Sequence, residues 1–191
     1  MSPRVDDHLP TPPGELVPLD PDMLKQRIRE MVGSWVELTG QWLGVHDLLL
    51  DQVVLVEGGP ILGYASEDLL DKFKAQDMIP AEDLDRILEL HLGFVRLIGS
   101  RDGSQRATDG VISLTLTHGL RRSDGTFARV QRHVMPIVLE ADGRVRALLH
   151  LCRDISRLAP GGSGVRWSLQ APEHLNALFM DQVNRPSGRA W

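Results

Sequence analysis

Two Asp-Gly pairs divide the stretch from residue 114 to residue 153 into three segments in which apolar and polar residues alternate. The pairs are Asp124-Gly125 and Asp142-Gly143. Glycine adopts positive φ without steric cost, so Asp-Gly is a strong signal for a tight turn between strands. Alternation along each segment is typical of a strand with a buried face. The pattern predicts an antiparallel meander with strands near 114–120, 127–139 and 144–153.

Composition and charge narrow the classes of protein to consider. The chain has 191 residues, 42% of them hydrophobic, with a net charge of −5, which suits one domain with extensions. An acidic chain without a basic recognition helix is not expected to bind nucleic acid. The single cysteine, Cys152, excludes an intramolecular disulfide and a Cys-rich zinc site. With no secretory leader and no apolar run long enough for a membrane span, cytoplasmic residence is expected.

The first fifty residues divide into a lead-in and a predicted helix. Residues 1–20 are rich in proline and are expected to be disordered. Asp20 and Pro21 suit the start of an amphipathic helix, which we predict over 21–50. Its apolar residues alternate spacings of four and three, as in a coiled-coil seam. They include Leu24, Ile28, Met31, Trp35, Leu38 and Trp42. The stripe is expected to pack on the chain's own sheet, to form the contact of a homodimer, or to do both.

Shorter patterns predict the remaining elements. They are a strand at 53–56, a short helix at 66–73, a helix at 81–98, an edge strand at 165–169 and a brief helix at 172–183. The main domain is predicted to span 51–158, followed by a linker and tail over 159–191.

Three motifs resemble the PAS domain family. Residues 61–70 look like the family's "LGYSPEELL" segment, and residues 79–83 look like its "IHPEDL" segment without the histidine. The third motif consists of two turns followed by the end of a strand. Its residues are Arg122, Asp124, Gly125, Asp142, Gly143, Asp154, Ile155 and Ser156. The motifs follow the family's order over about half of the chain. The resemblance implies an α+β fold, an antiparallel β-sheet with helices packed on one face and an N-terminal amphipathic helix.

The resemblance also implies a function in signal transduction. It is nearest to the PAS sensor domains of LuxR-type regulators, without their helix-turn-helix. We therefore expect a standalone regulatory domain that acts through protein–protein contacts, as a homodimer or with a signalling partner, with a small ligand in its cavity as an option. An enzyme of the α+β-barrel type is an alternative, but no phosphate loop, nucleophile elbow or metalloprotease motif is present, and we predict no enzyme.

His91 is the residue with the clearest possible ligand role. The resemblance places it where haem-binding PAS domains carry their iron ligand, and a neutral imidazole suits that task. The alternative is a core histidine bonded to a backbone carbonyl, in a protein that purifies colourless, and we expect this one. The other candidate ligand-binding residues are Leu88, Val95, Leu116 and Leu149.

Other histidines and the cysteine offer weaker signals. Strand pairing could bring His118, His133 and His150 together as a metal site needs, but strand histidines are usually cross-strand partners or surface groups, and we expect no metal. The helix that carries the reactive cysteine of flavin-photosensing relatives has no counterpart here. Cys152 is therefore expected to pack as a small apolar residue.

Overall fold

Six strands and three helices make up the part of the chain that the structure, a computed structural model, describes: residues 19–32, 41–57, 62–65, 68, 78–100, 103, 112–140, 144–158 and 164–184. The elements are α1 (Pro21–Val32), β1 (Trp42–Asp47), β2 (Gln52–Glu57), α2 (Ala81–Gly99), β3 (Ser113–Arg121), β4 (Phe127–Leu139), β5 (Val145–Asp154), β6 (Arg166–Gln170) and α3 (Glu173–Asn184). None of these helices is long and apolar enough to cross a membrane.

All six strands form one antiparallel sheet in the order β2-β1-β5-β4-β3-β6. The β3–β4–β5 meander is the one that the Asp-Gly pattern predicted, and glycine at position 125 has the expected positive φ of 84°. The hairpin of β1 and β2 pairs with the free side of β5, and β6 pairs with the free side of β3. The strands predicted at 53–56 and 165–169 are therefore confirmed.

The predicted helix over 21–50 is too long. It ends at Val32, and Trp42–Asp47 form β1. The apolar residues of β1 fit the spacing of a helix, but they also fit the alternation of a strand. Pairing with β5 on one side and with β2 on the other stabilises the strand. Trp35 and Leu38 lie outside the described residues.

The sheet has two differently covered faces, which we call the α1 face and the α2 face. On the α1 face, Leu24 and Ile28 are buried against a cluster that includes Leu43, Val45 and Leu149. Burying one such side chain stabilises the fold by about 1.5–3 kcal/mol. The apolar stripe of α1 therefore covers the chain's own sheet, one of the two roles expected for it.

The larger core lies on the α2 face. Leu90, Phe94 and Leu97 of α2 are fully buried in a cluster with the inward residues of the meander, which are Leu114, Leu116, Val134 and Leu148. Helix α3 completes this core with Leu175, Phe179 and Val183. The helices predicted at 81–98 and 172–183 are confirmed, and because α3 belongs to the core, the packed domain extends beyond residue 158. The helix predicted at 66–73 falls almost entirely outside the described residues.

Candidate functional site: a polar cluster on the α2 face

Three histidines from three elements meet on the α2 face. They are His46 of β1, His91 of α2 and His150 of β5, and we call them the histidine cluster. The His91 ring lies 5.5 Å from that of His46 and 5.7 Å from that of His150, with interplanar angles of 27° and 26°. The His46 and His150 rings are 6.3 Å apart. His91 thus stacks on both strand histidines.

Strand register explains why the two strand histidines share a face. In β1 and β5, His46 lies opposite Leu148 and Gly44 lies opposite His150. Directly opposed residues of an antiparallel pair project to the same side of the sheet. His91 reaches them from α2, whose neighbouring residues Leu90 and Phe94 are buried against the sheet.

Arg132 of β4 adds a buried positive charge to this face. It lies opposite Cys152 of β5, two residues from the point where His150 meets β4, and its charge opposes the rise in the pKa of the Cys152 thiol. Arg132 is only 8% exposed. Its Nε and Nη2 atoms have no hydrogen-bond partner, and among the described residues no carboxylate pairs with it.

His118 of β3 extends the polar row to the next strand. It is fully buried, and its Nδ1 lies 2.9 Å from the carbonyl oxygen of Gly119. A carbonyl only accepts, so Nδ1 carries the proton and donates it, which leaves Nε2 as a lone-pair acceptor. That Nε2 atom is buried without a partner. His118 is thus a buried histidine that is bonded to a backbone carbonyl.

The surroundings keep these imidazoles neutral. Burial, and then the nearby His46 and Arg132, lower the pKa of His91 to about 3. Burial and Arg132 likewise lower the pKa of His118 to about 3, with the Gly119 bond opposing the shift. The pKa of His150 also falls well below its usual value, for the same reasons. At neutral pH the face therefore combines the charge of Arg132 with the neutral rings of His91, His118 and His150.

The cluster does not fit a metal ion. Its rings lie nearly face to face, whereas metal ligands aim their nitrogens at one point. Within the described ranges, no group of three or more His, Cys, Asp or Glu residues is arranged to hold a metal. The charge of Arg132 would also repel a cation. A bond from His91 to a haem iron would require the stack to open.

Cys152 has no features of a reactive thiol. It is 1% exposed on β5, and burial raises its pKa to about 12 against the smaller opposing effect of Arg132. The thiolate, which is the nucleophilic form, is therefore negligible at neutral pH. Cys152 packs with Trp42, Leu120 and Val130, as expected of a small apolar side chain.

The other candidate residues separate between the two faces. Leu116 lies in the core of the α2 face, and Val95 packs against that core from α2, while Leu88 is half-buried on the same helix. Leu149 lies on the α1 face, buried against α1, so it does not line the face that carries His91. Its neighbour along β5, His150, does.

The trio of strand histidines considered as a metal site does not assemble. His133 lies on the α1 face, where its Nδ1 is 3.0 Å from Thr115 Oγ1. The sequence analysis missed His46, because it assigned that residue to a helix. Read as a strand, residues 42–46 place His46 on the same side as Trp42, and that alternation is the signal that could have revealed it.

Residues of the first and third motifs of the family resemblance meet at one corner of the domain. Arg122 Nη2 donates to Asp154 Oδ2 at 2.6 Å and to Ser156 Oγ at 3.2 Å, which ties the first turn to the end of the last strand. The amide of Ser123 donates to the carbonyl of Leu62 at 2.8 Å. Gly63 follows with a φ of +81°, and a Cβ there would collide with Ser123.

A polar surface pocket of about 270 Å³ lies at this corner, lined by Leu62, Gly63, Arg122, Ser123, Asp124 and Asp154. Burial raises the pKa of Asp154, but its bonds to Ser156 and the charge of Arg122 outweigh that effect and lower it. The ion pair of Arg122 and Asp154 is satisfied within the chain. The corner therefore has a structural role.

Comparisons with known proteins concern the fold. No protein-family model and no curated protein matches the chain. Among solved structures it is similar to the PAS domain of a protein from Colwellia psychrerythraea, with 18% identity over 71% of this chain and 99% of that one and a TM-score of 0.48. It is also similar to the N-terminal domain of a diguanylate cyclase with PAS/PAC sensor from Marinobacter aquaeolei, with 16% identity over 62% and 97% and a TM-score of 0.45.

A third similar structure is a domain of the putative light and redox sensing histidine kinase from Haloarcula marismortui, with 17% identity over 66% of this chain and 98% of that one and a TM-score of 0.38. The fold itself follows from the strand order β2-β1-β5-β4-β3 and from the helix α2 packed across the sheet. This chain has the PAS-like α+β fold.

Proposed function

We propose that this chain is a sensory and regulatory domain in signal transduction, in which the α2 face receives a signal and the α1 face passes it to a protein partner. One observation carries the proposal. Strands β1 and β5 place His46 and His150 in the polar cluster, while the adjacent residues Val45 and Leu149 of the same strands pack under α1. The two faces therefore share two strands.

The shared strands supply a physical route between the faces. A ligand that orders or shifts the histidine cluster moves β1 or β5, and the apolar contacts under α1 must follow, since a packed core does not deform freely. The ligand shifts the population of α1 positions only as far as it binds one arrangement better than the other. A partner that contacts α1 then senses the difference.

The chemistry of the cluster favours binding over catalysis. An efficient general acid or base has a pKa near the working pH. His91 and His118 have pKa values of about 3, so they do not exchange protons near neutrality. Arg132 keeps its charge at all accessible pH values. These properties suit a receptor site, and we propose no enzymatic activity.

The coupling between the faces can be tested by amide hydrogen exchange. His150→Phe keeps an aromatic ring but removes the polar contacts of the cluster, so we expect faster exchange in α1 (residues 21–32) as well as in β5. Exchange in α3 is the internal control, because the main contacts of α3 are with α2 and, through Phe179 and Trp167, with β6. A variant whose exchange changes on the α2 face and not in α1 would contradict the proposed route.

A homodimer is the partner contact that we propose first. Leu24, Ile28 and Trp42 are buried within one copy, so they are not free to meet a second copy. The contact is therefore expected to rest on the rest of the apolar stripe, with Trp35 as its anchor. Buried tryptophans often dominate interface energies, with losses of about 2 kcal/mol or more on truncation.

Sedimentation velocity at tens of micromolar is the measurement for this prediction. We expect a dimeric wild type and a Trp35→Ala variant whose dissociation constant is weaker by roughly thirtyfold. Met180→Ala is the control, since Met180 is an exposed apolar residue on α3, 40% accessible. A monomeric wild type, or a Trp35→Ala variant that dimerises as well as the control, would remove this segment from the contact.

A further inference from the structure

We infer that the α2 face carries a binding site for a small carboxylate, held side-on by the free edge of Arg132 with His150 as a second donor. The inference rests on the proposed function and makes it more specific, because it names the chemical class of ligand that binds to the α2 face. Its evidence is the set of buried polar atoms without partners on this face.

The unpartnered atoms of Arg132 define the ligand geometry. Nε and Nη2 lie on the same edge of the planar guanidinium, and their two N–H groups point in parallel, as the two oxygens of one carboxylate require. Burying charged donors without partners destabilises a protein. Folding nevertheless places this edge inside the domain, which is expected where a ligand supplies the missing partner.

His150 supplies a second donor beside that edge. Its Nε2 atom is buried without a partner. Val134 lies opposite His150, and Arg132 opposite Cys152, so Arg132 and His150 are diagonal neighbours on adjacent strands. Diagonal neighbours are about 7–8 Å apart at the backbone, a separation that long side chains bridge. With its proton on Nε2, neutral His150 donates to the same carboxylate.

Gly44 leaves space in front of His150. It lies opposite His150 in the register of β1 and β5, between Trp42 and His46 on the same face. A Cβ built on Gly44 would meet no atom closer than 3.8 Å, so a small group fits at this position without a collision. A glycine inside a strand weakens the strand and often marks the close approach of a ligand.

The charge balance selects a carboxylate over other ions. Arg132 brings one positive charge, and His91, His118 and His150 are neutral at pH 7 because burial lowers the pKa of each. A monoanion neutralises the site, whereas a phosphate dianion would leave a buried negative charge. A metal cation is repelled by Arg132.

The test uses the full-length protein labelled with ¹⁵N and titrated with sodium propionate at constant ionic strength. The Arg132 Nε–H signal reports the guanidinium edge directly. We expect it to shift and saturate with propionate and not with sodium chloride. Arg132→Lys keeps the charge but loses the two parallel donors, so we expect roughly tenfold weaker binding or more. Binding to this variant is followed by the backbone amide signals of β4 and β5, because the Nε–H signal is gone. Sodium phosphate, at a pH where the dianion predominates, is expected to give no saturable shift.

Two variants of one glycine test the space in front of His150. Gly44→Ala fits the structure and is expected to bind propionate as the wild type does. Gly44→Leu fills the space and is expected to abolish the shift while Arg132 stays in place. Amide dispersion in the same spectra shows whether each variant is folded. The comparison is valid if the amide signals of β1, β4 and β5 stay dispersed in Gly44→Leu.

The outcomes separate this inference from the proposed function. An Arg132 signal that ignores propionate in the folded wild type would overturn the inference, even if His150→Phe still alters exchange in α1. A saturable shift that Gly44→Leu abolishes would support the site, even if α1 never responds. A phosphate response stronger than the propionate response would overturn the assignment to a carboxylate.

Discussion

Acidification from pH 7 to pH 5 is expected to lower the free energy of unfolding by roughly 4 kcal/mol through His91 and His118, and further through His150. In the unfolded chain a histidine takes up a proton near pH 6.5, whereas in the native protein His91 and His118 do so only near pH 3. His150 is shifted in the same direction. Between these limits the unfolded state binds more protons, so stability falls as the pH falls. Each histidine contributes about 1.4 kcal/mol per pH unit below 6.5.

Urea unfolding at pH 7, 6 and 5 measures this effect. The range from pH 7 to pH 5 lies above the titration of Asp124 and Asp154. Their pKa values are lowered, so their contribution to stability is lost only in stronger acid. Removing one buried histidine with His118→Gln should make the pH dependence shallower by about 1.4 kcal/mol per pH unit below pH 6.5. His174→Gln, at an exposed position of α3, should leave it unchanged. Equal stability at pH 7 and pH 5 would show that the buried rings are not held neutral.

Trp42→Ala is expected to cost about 3–5 kcal/mol of stability. Trp42 is 1% exposed and packs in a cluster with Met78, Leu120 and Val130 of the α2 face. Alanine would leave a cavity that the surrounding strands cannot fill, because paired strands move little. The residue that the sequence suggested as an interface anchor therefore has a structural role.

Chemical denaturation gives the size of the loss. Trp42→Phe preserves most of the buried area and should cost much less than Trp42→Ala. Met23→Ala provides the surface control, since Met23 is 42% exposed on α1, and it should change stability by about 0.5 kcal/mol or less. A loss below about 1 kcal/mol for Trp42→Ala would place the indole outside the core.

The meander was predictable because its signals are local. Asp124-Gly125 marks a turn, and alternation sets strand length, so β3, β4 and β5 appear close to the predicted bounds, while Asp142-Gly143 lies outside the described residues. The extent of α1 was not predictable in this way. Residues 42–47 satisfy two periods, and the choice depends on β5, about a hundred residues away in the chain.

The site was only partly predictable for a related reason. His91 was predicted on the sheet-facing side of α2, where the structure has it. The face of β5 that lies against His91 could not be predicted, because β5 is apolar on both faces and Leu149 looks as suitable as Leu148. Arg132 had a usable signal. It occupies an inward position between Val130 and Val134, where an alternating strand would carry an apolar residue.

The placement of α1 and α3 has a consequence for assembly. Helix α1 lies on one face of the sheet, and α3 packs with α2 on the other. Two proteins that bound these helices would lie on opposite sides of a single layer of strands and would not exclude each other sterically. The sheet therefore separates any contact made on α1 from any contact made on α3.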